Sequence, residues 1–139
     1  MKDNTFSLIC DIEYKMSSFL EAEMKNTELA GFSHSYGKIL LELNKYESLS
    51  MKELAKKINK SPQTLSTLVE KLHKIDLVRI FVCENDSRSK RVSITEQGAQ
   101  VIPKIIDISK DLYAIQFANF SDAEKQELRR LLMKMQSNF

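Results

Sequence analysis

Gln63, Thr64, Ser66 and Thr67 stand in the stretch SPQTLSTLVEKL, residues 61–72, on the face opposite Leu65, Leu68, Val69 and Leu72. A helix face turned to water usually carries Glu and Lys. Short uncharged side chains are poorer helix formers and solvate less strongly. What these four offer is hydrogen bonding of both senses. Gln can pair bidentately with adenine, Ser and Thr can donate or accept at a base edge, and a Thr methyl can touch the methyl of thymine. Lys71, two turns beyond Gln63, is placed to meet a phosphate. Ser61 can cap the helix, and the free N–H groups of a helix N-terminus attract phosphate. The plainer alternative is a solvent-facing helix with modest polar residues.

A second group suits the same polyanion. Asp86, Arg88, Lys90 and Arg91 lie in ENDSRSKR, where a turn facing only solvent needs no such concentration of bases. Arginine is drawn to the negative potential of a narrow minor groove. Asp86 is odd beside an anion, so a structural role, capping the turn or holding an arginine, is expected of it. From Ser50 to Arg91 ten bases face five acids, a local +5, so the remainder is −3 in a chain of net charge +2. A basic middle between acidic flanks suits a module that faces a polyanion.

The elements that must position these residues are legible in hydrophobic spacing. Phe6, Ile9, Ile12, Met16, Phe19 and Leu20 recur at helical steps from about Thr5 to Met24. Gly31 breaks that pattern. Ser33 is expected to cap a second helix, with Ile39, Leu40 and Leu43 inside. Ser50-Met51-Lys52-Glu53 reads as a capping box opening a short helix through Ile58, with Leu54, Ala55 and Ile58 inward. Asn59-Lys60 is the turn. Ser61 then caps the next helix and Pro62 occupies its first turn, where a missing N–H costs nothing. Two short helices across a tight turn form a helix-turn-helix.

The period then falls from 3.6 to 2. Val78, Ile80 and Val82 alternate with Arg79, Phe81 and Cys83; Val92 and Ile94 alternate with Arg91 and Ser93. This predicts a β-hairpin whose turn is the polar run ENDSRSK. A long apolar helix is expected from about Thr95 to Phe117, with a kink or delayed start at Pro103. Ser121-Asp122-Ala123-Glu124 opens a last helix with Leu128, Leu131, Leu132 and Met135 on one face. The terminal helices carry more apolar surface than a small lobe can cover, which calls for a partner chain.

The segment SMKELAKKINKSPQTLSTLVEKLHKIDLVRIFVCENDSRSKRVSITEQG resembles the helix-turn-helix and wing of the MarR family of transcriptional regulators. Asp86-x-Arg88, the bases after it, the β-run and Thr95-Glu96-x-Gly98 are similar to that family's wing signature, and GFSHSYGKILLEL to its second helix. The resemblance implies a mostly α fold with a small β-hairpin, a winged helix-turn-helix with N- and C-terminal dimerisation helices. It implies one domain over residues 1–139, with a DNA-binding lobe at about 33–98 and dimerisation helices at about 1–30 and 99–139. It also implies a homodimeric, sequence-specific regulator, a repressor of the occluding kind, on the double-stranded DNA of a pseudo-palindromic operator. Gln63, Thr64, Ser66 and Thr67 would read the major groove, Arg88 the minor groove, and Asp86 would order the wing. The chain departs from the pattern at Asp76, where many relatives have Gly.

Such regulators often answer a small-molecule or oxidant effector. Cys10, with Tyr14 one turn on, is similar in spacing to a peroxide-sensing subgroup of the family, and Tyr36 is a further candidate hydrogen-bond partner. Cys10 is therefore a candidate redox sensor, with a packed core thiol as the alternative. Cys83 reads as structural. No metal site is expected of His34 or His73, and no cofactor of a chain lacking a phosphate loop or dinucleotide fingerprint. No catalytic constellation can be assembled, so an enzyme is not expected. No apolar run approaches the roughly 18 residues of a membrane span, and no signal-peptide core is visible, so a cytoplasmic protein without membrane contact is expected. The rival function is a winged-helix protein-interaction module without DNA binding, which would more often expose an apolar patch on its second helix.

Overall fold

A computed structural model describes residues 2–83 and 86–139, without the side chains of 86–88. Helix α1 spans Thr5–Glu23 and ends in a 3-10 turn, Met24–Asn26. Then follow α2, His34–Leu43, strand β1, Leu49–Ser50, α3, Met51–Ile58, and α4, Pro62–Lys74. Strands β2, Val78–Cys83, and β3, Asp86–Ile94, precede α5, Glu96–Gln116, and α6, Asp122–Gln136.

Leu40, Leu43, Leu54, Ile58, Leu65, Val69 and Leu72 are almost wholly buried and hold α2, α3 and α4 around one core. Local chemistry fixes where these helices begin and end. Ser50 Oγ accepts the Glu53 N–H at 3.0 Å, but the return bond of the expected capping box is absent. Ser50 is also a strand residue opposite Arg91, which commits its backbone to a ladder. Ser33 stands at the N-cap of α2 without a side-chain cap bond; its carbonyl accepts the Tyr36 N–H instead. Asn59 closes α3 in the left-handed conformation, φ 58°. Asp76 does the same after α4 at φ 62°, taking the conformation for which the resemblance expects glycine.

The sheet is antiparallel in the order β1-β3-β2. Val78 pairs with Ile94 and Val82 with Lys90, with an irregularity between Val82 and Cys83. The hairpin departs from its sequence pattern in two places. Residues 86–90 extend the second strand instead of forming the turn; Glu84 and Asn85 lie outside the described residues. Val82 is 50% exposed although it stands in phase with the buried Val78, because the hairpin runs on past the core beyond Ile80. Strand β1 is an addition, too short to leave a periodic signal.

Thr95 Oγ1 caps α5 by accepting the Gly98 N–H at 3.0 Å. The helix starts at Glu96 and continues through Pro103, so the expected delayed start does not occur. Val101, Ile102, Ile105 and Ile108 pack on the lobe, and beyond Ile108 no α5 residue is buried. No residue of α1 or α6 is buried either. Among the described residues no helix is long and apolar enough to cross a membrane.

The capping box of α6 is complete. Ser121 N–H donates to Glu124 Oε1 at 2.9 Å, and Glu124 N–H to Ser121 Oγ at 3.1 Å. The backbone bond from Ser121, then its hydroxyl, hold the Glu124 carboxyl below its ordinary value. The contribution is therefore complete above the ordinary Glu pKa and is lost as pH falls through the lowered one. Glu124→Ala should speed amide exchange in the first turn of α6 at neutral pH, and the difference from the parent should vanish in acid. Equal exchange rates at neutral pH would remove the box as a contributor.

Candidate nucleic-acid interface

Helix α4 presents two different sides. Leu65, Val69 and Leu72 are buried, while Gln63, Thr64, Ser66 and Thr67 are all exposed. Their hydroxyls are not equally free. Ser61 Oγ accepts the Thr64 N–H at 3.2 Å and donates to Thr64 Oγ1 at 2.9 Å. Ser61 is thus engaged in capping through its hydroxyl, and Thr64 keeps its own proton to donate outward. Thr67 Oγ1 donates back to the Gln63 carbonyl at 3.3 Å, leaving its lone pairs and methyl outward. Gln63 and Ser66 make no side-chain hydrogen bond among the described residues, so their polar groups are uncommitted. Lys71 is exposed but lies toward the far end of α4. With Lys74, Phe32, Tyr36, Leu68 and Ile75 it lines a cavity of about 490 Å³ between α4 and the approach to α2.

The hairpin stands beside this helix, joined to it by the turn at Asp76, whose carbonyl accepts Thr95 Oγ1–H at 2.6 Å. Lys90 is exposed on β3. Arg91, one residue on, is half-buried. Its Nε donates to Ser48 Oγ at 2.9 Å and a terminal nitrogen donates to the Ser48 carbonyl at 3.2 Å. Asp86 and Arg88 have strand backbone, and their side chains lie outside the described residues. A lysine–tyrosine contact not foreseen from the sequence ties α3 to the connection after α2. Lys57 Nζ donates to Tyr46 Oη at 3.0 Å and sits 4.8 Å from the ring centroid. The hydrogen bond to Tyr46 raises the ammonium above its ordinary pKa. The only sequence signal was an aromatic residue eleven positions before a lysine.

Residues 32–90, which hold α2 to α4 and most of the hairpin, match the model of the MarR family. Over those residues the chain resembles the winged helix-turn-helix of the MarR family. Over 137 residues, 97% of the chain, it is 24% identical to an uncharacterized HTH-type transcriptional regulator of Bacillus cereus, covering 89% of that relative. It is 31% identical over 75 residues to the HTH-type transcriptional regulator SarZ of Staphylococcus aureus, 54% of this chain and 51% of SarZ. Among solved structures, a MarR protein from Peptoclostridium difficile matches with a TM-score of 0.89 at 22% identity, over 99% of this chain and 88% of that one. The S. aureus MepR–DNA complex matches at 0.88 and 21%, over 96% of each chain. A mutant MarR from E. coli complexed with operator DNA matches at 0.84 and 21%, over 93% and 91%. At such identities the structural likeness is one of fold, and it includes the terminal helices that the MarR family model leaves unmatched.

Helix α1 places Cys10 in the open. Cys10 is exposed in the single chain, against the alternative of a thiol packed within it. Tyr14 is 71% exposed, and Tyr36 is buried with its ring 4.5 Å from that of Phe32. Neither tyrosine hydrogen-bonds Cys10 among the described residues. Cys83 is half-buried at the irregular end of β2. His73 Nδ1 lies 3.2 Å from the Val78 carbonyl, a local bond between α4 and β2. No cluster of three or more metal-ligating side chains occurs among the described residues.

Proposed function

We propose that this chain is a sequence-specific DNA-binding transcriptional regulator that works as a homodimer. The observation that carries the reading is the outer face of α4. Uncharged hydrogen-bonding side chains, Gln63 and Ser66 uncommitted among them, cover a helix whose other side is anchored in the core. Such a face suits base edges better than water. Support comes from the fold it shares with the MepR–DNA complex and with the operator-bound E. coli protein.

In this reading residues 33–98 are the DNA-binding lobe, and residues 1–30 and 99–139 are the dimerisation helices. Gln63, Thr64, Ser66 and Thr67 meet the major groove, Arg88 the minor groove, and Lys71 and Lys90 the phosphates. Asp86 orders the wing, and the Ser61 helix start accompanies a phosphate through its backbone. Two such lobes need half-sites about 34 Å apart, one helical turn. An effector, a small ligand or an oxidant acting at Cys10, releases DNA by changing that spacing. Bound at a promoter, the dimer represses by occlusion.

The test is affinity selection of DNA sequences by the purified dimer, followed by binding at several salt concentrations. With about 6–10 phosphate contacts, affinity should fall roughly 10³–10⁵-fold between about 50 and 200 mM salt. Gln63→Ala should relax preference at one base pair by about 1–3 kcal/mol. No enriched sequence, or a flat salt response, overturns the reading.

A further inference from the structure

We infer that Arg91 is a positioning residue for operator recognition: it locks the wing to the connection that leads into the helix-turn-helix. The inference rests on the DNA-binding reading above.

Arg91 lies in the basic stretch of the wing and by charge alone belongs with Lys90 as a phosphate contact. The geometry assigns it elsewhere. Its Nε–H and one terminal N–H donate to the hydroxyl and the carbonyl of Ser48, at 2.9 and 3.2 Å, across 43 positions of sequence. The residue is half-buried, whereas Lys90 beside it is exposed. A planar guanidinium reaches two acceptors at once with little loss of freedom; an ammonium is a point charge and cannot copy the fork.

What the fork holds is a short strut. Ser48 precedes β1, whose Leu49 and Ser50 pair with Val92 and Arg91 of the wing. Ser50 is in turn the cap of α3. From the other side Lys57 of α3 donates to Tyr46. The residues 46–50 are therefore tied to the wing by Arg91 and to α3 by Lys57. Only two residue pairs join β1 to β3, so the ladder by itself gives the wing few hydrogen bonds by which to hold its angle to the strut. Arg91 supplies the missing constraint, so that the wing and α4 meet adjacent grooves together. Loss of a charge-assisted fork in a half-buried place loosens this relation without removing a phosphate contact.

Salt dependence separates the two roles. Removing a phosphate contact lowers the slope of log affinity against log salt by about 0.9; loosening a positioning contact lowers affinity at unchanged slope. The variants are Arg91→Lys, Arg91→Ala and Ser48→Ala, each checked for dimer mass and melting temperature. Operator binding is measured across a salt series. Amide exchange at residues 48–50 and 90–92 is measured without DNA. Both Arg91 variants should bind about tenfold more weakly with the parental slope. Ser48→Ala should reproduce part of the loss and add little to Arg91→Ala. Exchange in both segments should quicken in all three variants. Parental binding by Arg91→Lys, together with a slope reduced by about one in Arg91→Ala, overturns the inference in favour of a phosphate contact. Unchanged exchange in the Arg91 variants overturns it whatever DNA does. If the parent binds no DNA, the functional reading fails, and the exchange data still decide whether Arg91 holds the strut.

Discussion

Gly98→Ala should lower the melting temperature by roughly eight degrees, although alanine is the better helix former. Propensity alone gives the opposite sign, favouring Ala over Gly by about 1 kcal/mol in a helix interior. Space decides the matter. Gly98 lies buried in the first turn of α5, and a Cβ there would intrude on the Leu77 carbonyl oxygen and on Ile94 Cγ1. That carbonyl accepts the Thr95 N–H at 3.1 Å, while the Leu77 N–H donates to the Leu72 carbonyl, also at 3.1 Å. The backbone that would have to yield therefore joins the end of α4, the start of β2 and the cap of α5. Overpacking costs about 1–3 kcal/mol, and a weakened cap bond about 1 kcal/mol more. Less the propensity gain, the net is about 2 kcal/mol, and a chain of this length shifts about four degrees for each. Thermal melting of parent and variant at one protein concentration is the measurement. A variant that melts at or above the parent removes the close approach from the account.

The same neighbourhood shows what a sequence discloses. Asn59, Ser61, Pro62 and Thr95 act through bonds or backbone preferences spanning a few residues, so the starts of these helices and the turn at Asn59 are legible within one position, whereas α4 runs two residues past Leu72. At Asp76 the departure from glycine leaves the turn geometry open in sequence; a short polar side chain tolerates the left-handed conformation, and the turn keeps it. The wing was read less well. Alternation carries no information about where the core ends, so it does not separate the buried Val78 from the exposed Val82. Strand β1 has two residues, below any periodic signal. The fork of Arg91 joins positions 43 residues apart, and charge pattern alone assigned that arginine outward. On the recognition face the residue types were legible, but the engagement of the Ser61, Thr64 and Thr67 hydroxyls was not. It depends on rotamers that composition does not determine.

Leu132→Glu should convert the proposed dimer to a monomer at micromolar concentration, and operator binding should be lost with it. Phe6, Leu8, Ile9 and Ile12 of α1, Tyr113 and Ile115 at the end of α5, and Leu128, Leu131, Leu132, Met133 and Met135 of α6 are each between 37% and 81% exposed. Eleven large apolar side chains left part-open on three terminal helices exceed the scattered single ones normal on a monomer, and covering them takes a partner surface of the standard class, roughly 800 Å² on each side. Leu132 lies 47% exposed in a cleft of about 730 Å³ between α5 and α6, with Tyr113, Phe117, Leu128 and Met133 around it. In a two-fold dimer every substitution acts twice. A carboxylate left unpaired in a desolvated interface costs several kcal/mol, and two of them exceed what the surrounding contacts can offset. Helix α6 itself should persist in the variant, because its capping box lies at the other end. Light scattering gives the mass, circular dichroism the helix content, and DNA binding the consequence. A single lobe holds one half-site and loses the linked second, a factor of about 10² or more. A parent that is monomeric at micromolar concentration refutes the dimer, whereas a dimeric Leu132→Glu that still binds operator moves the interface away from α6.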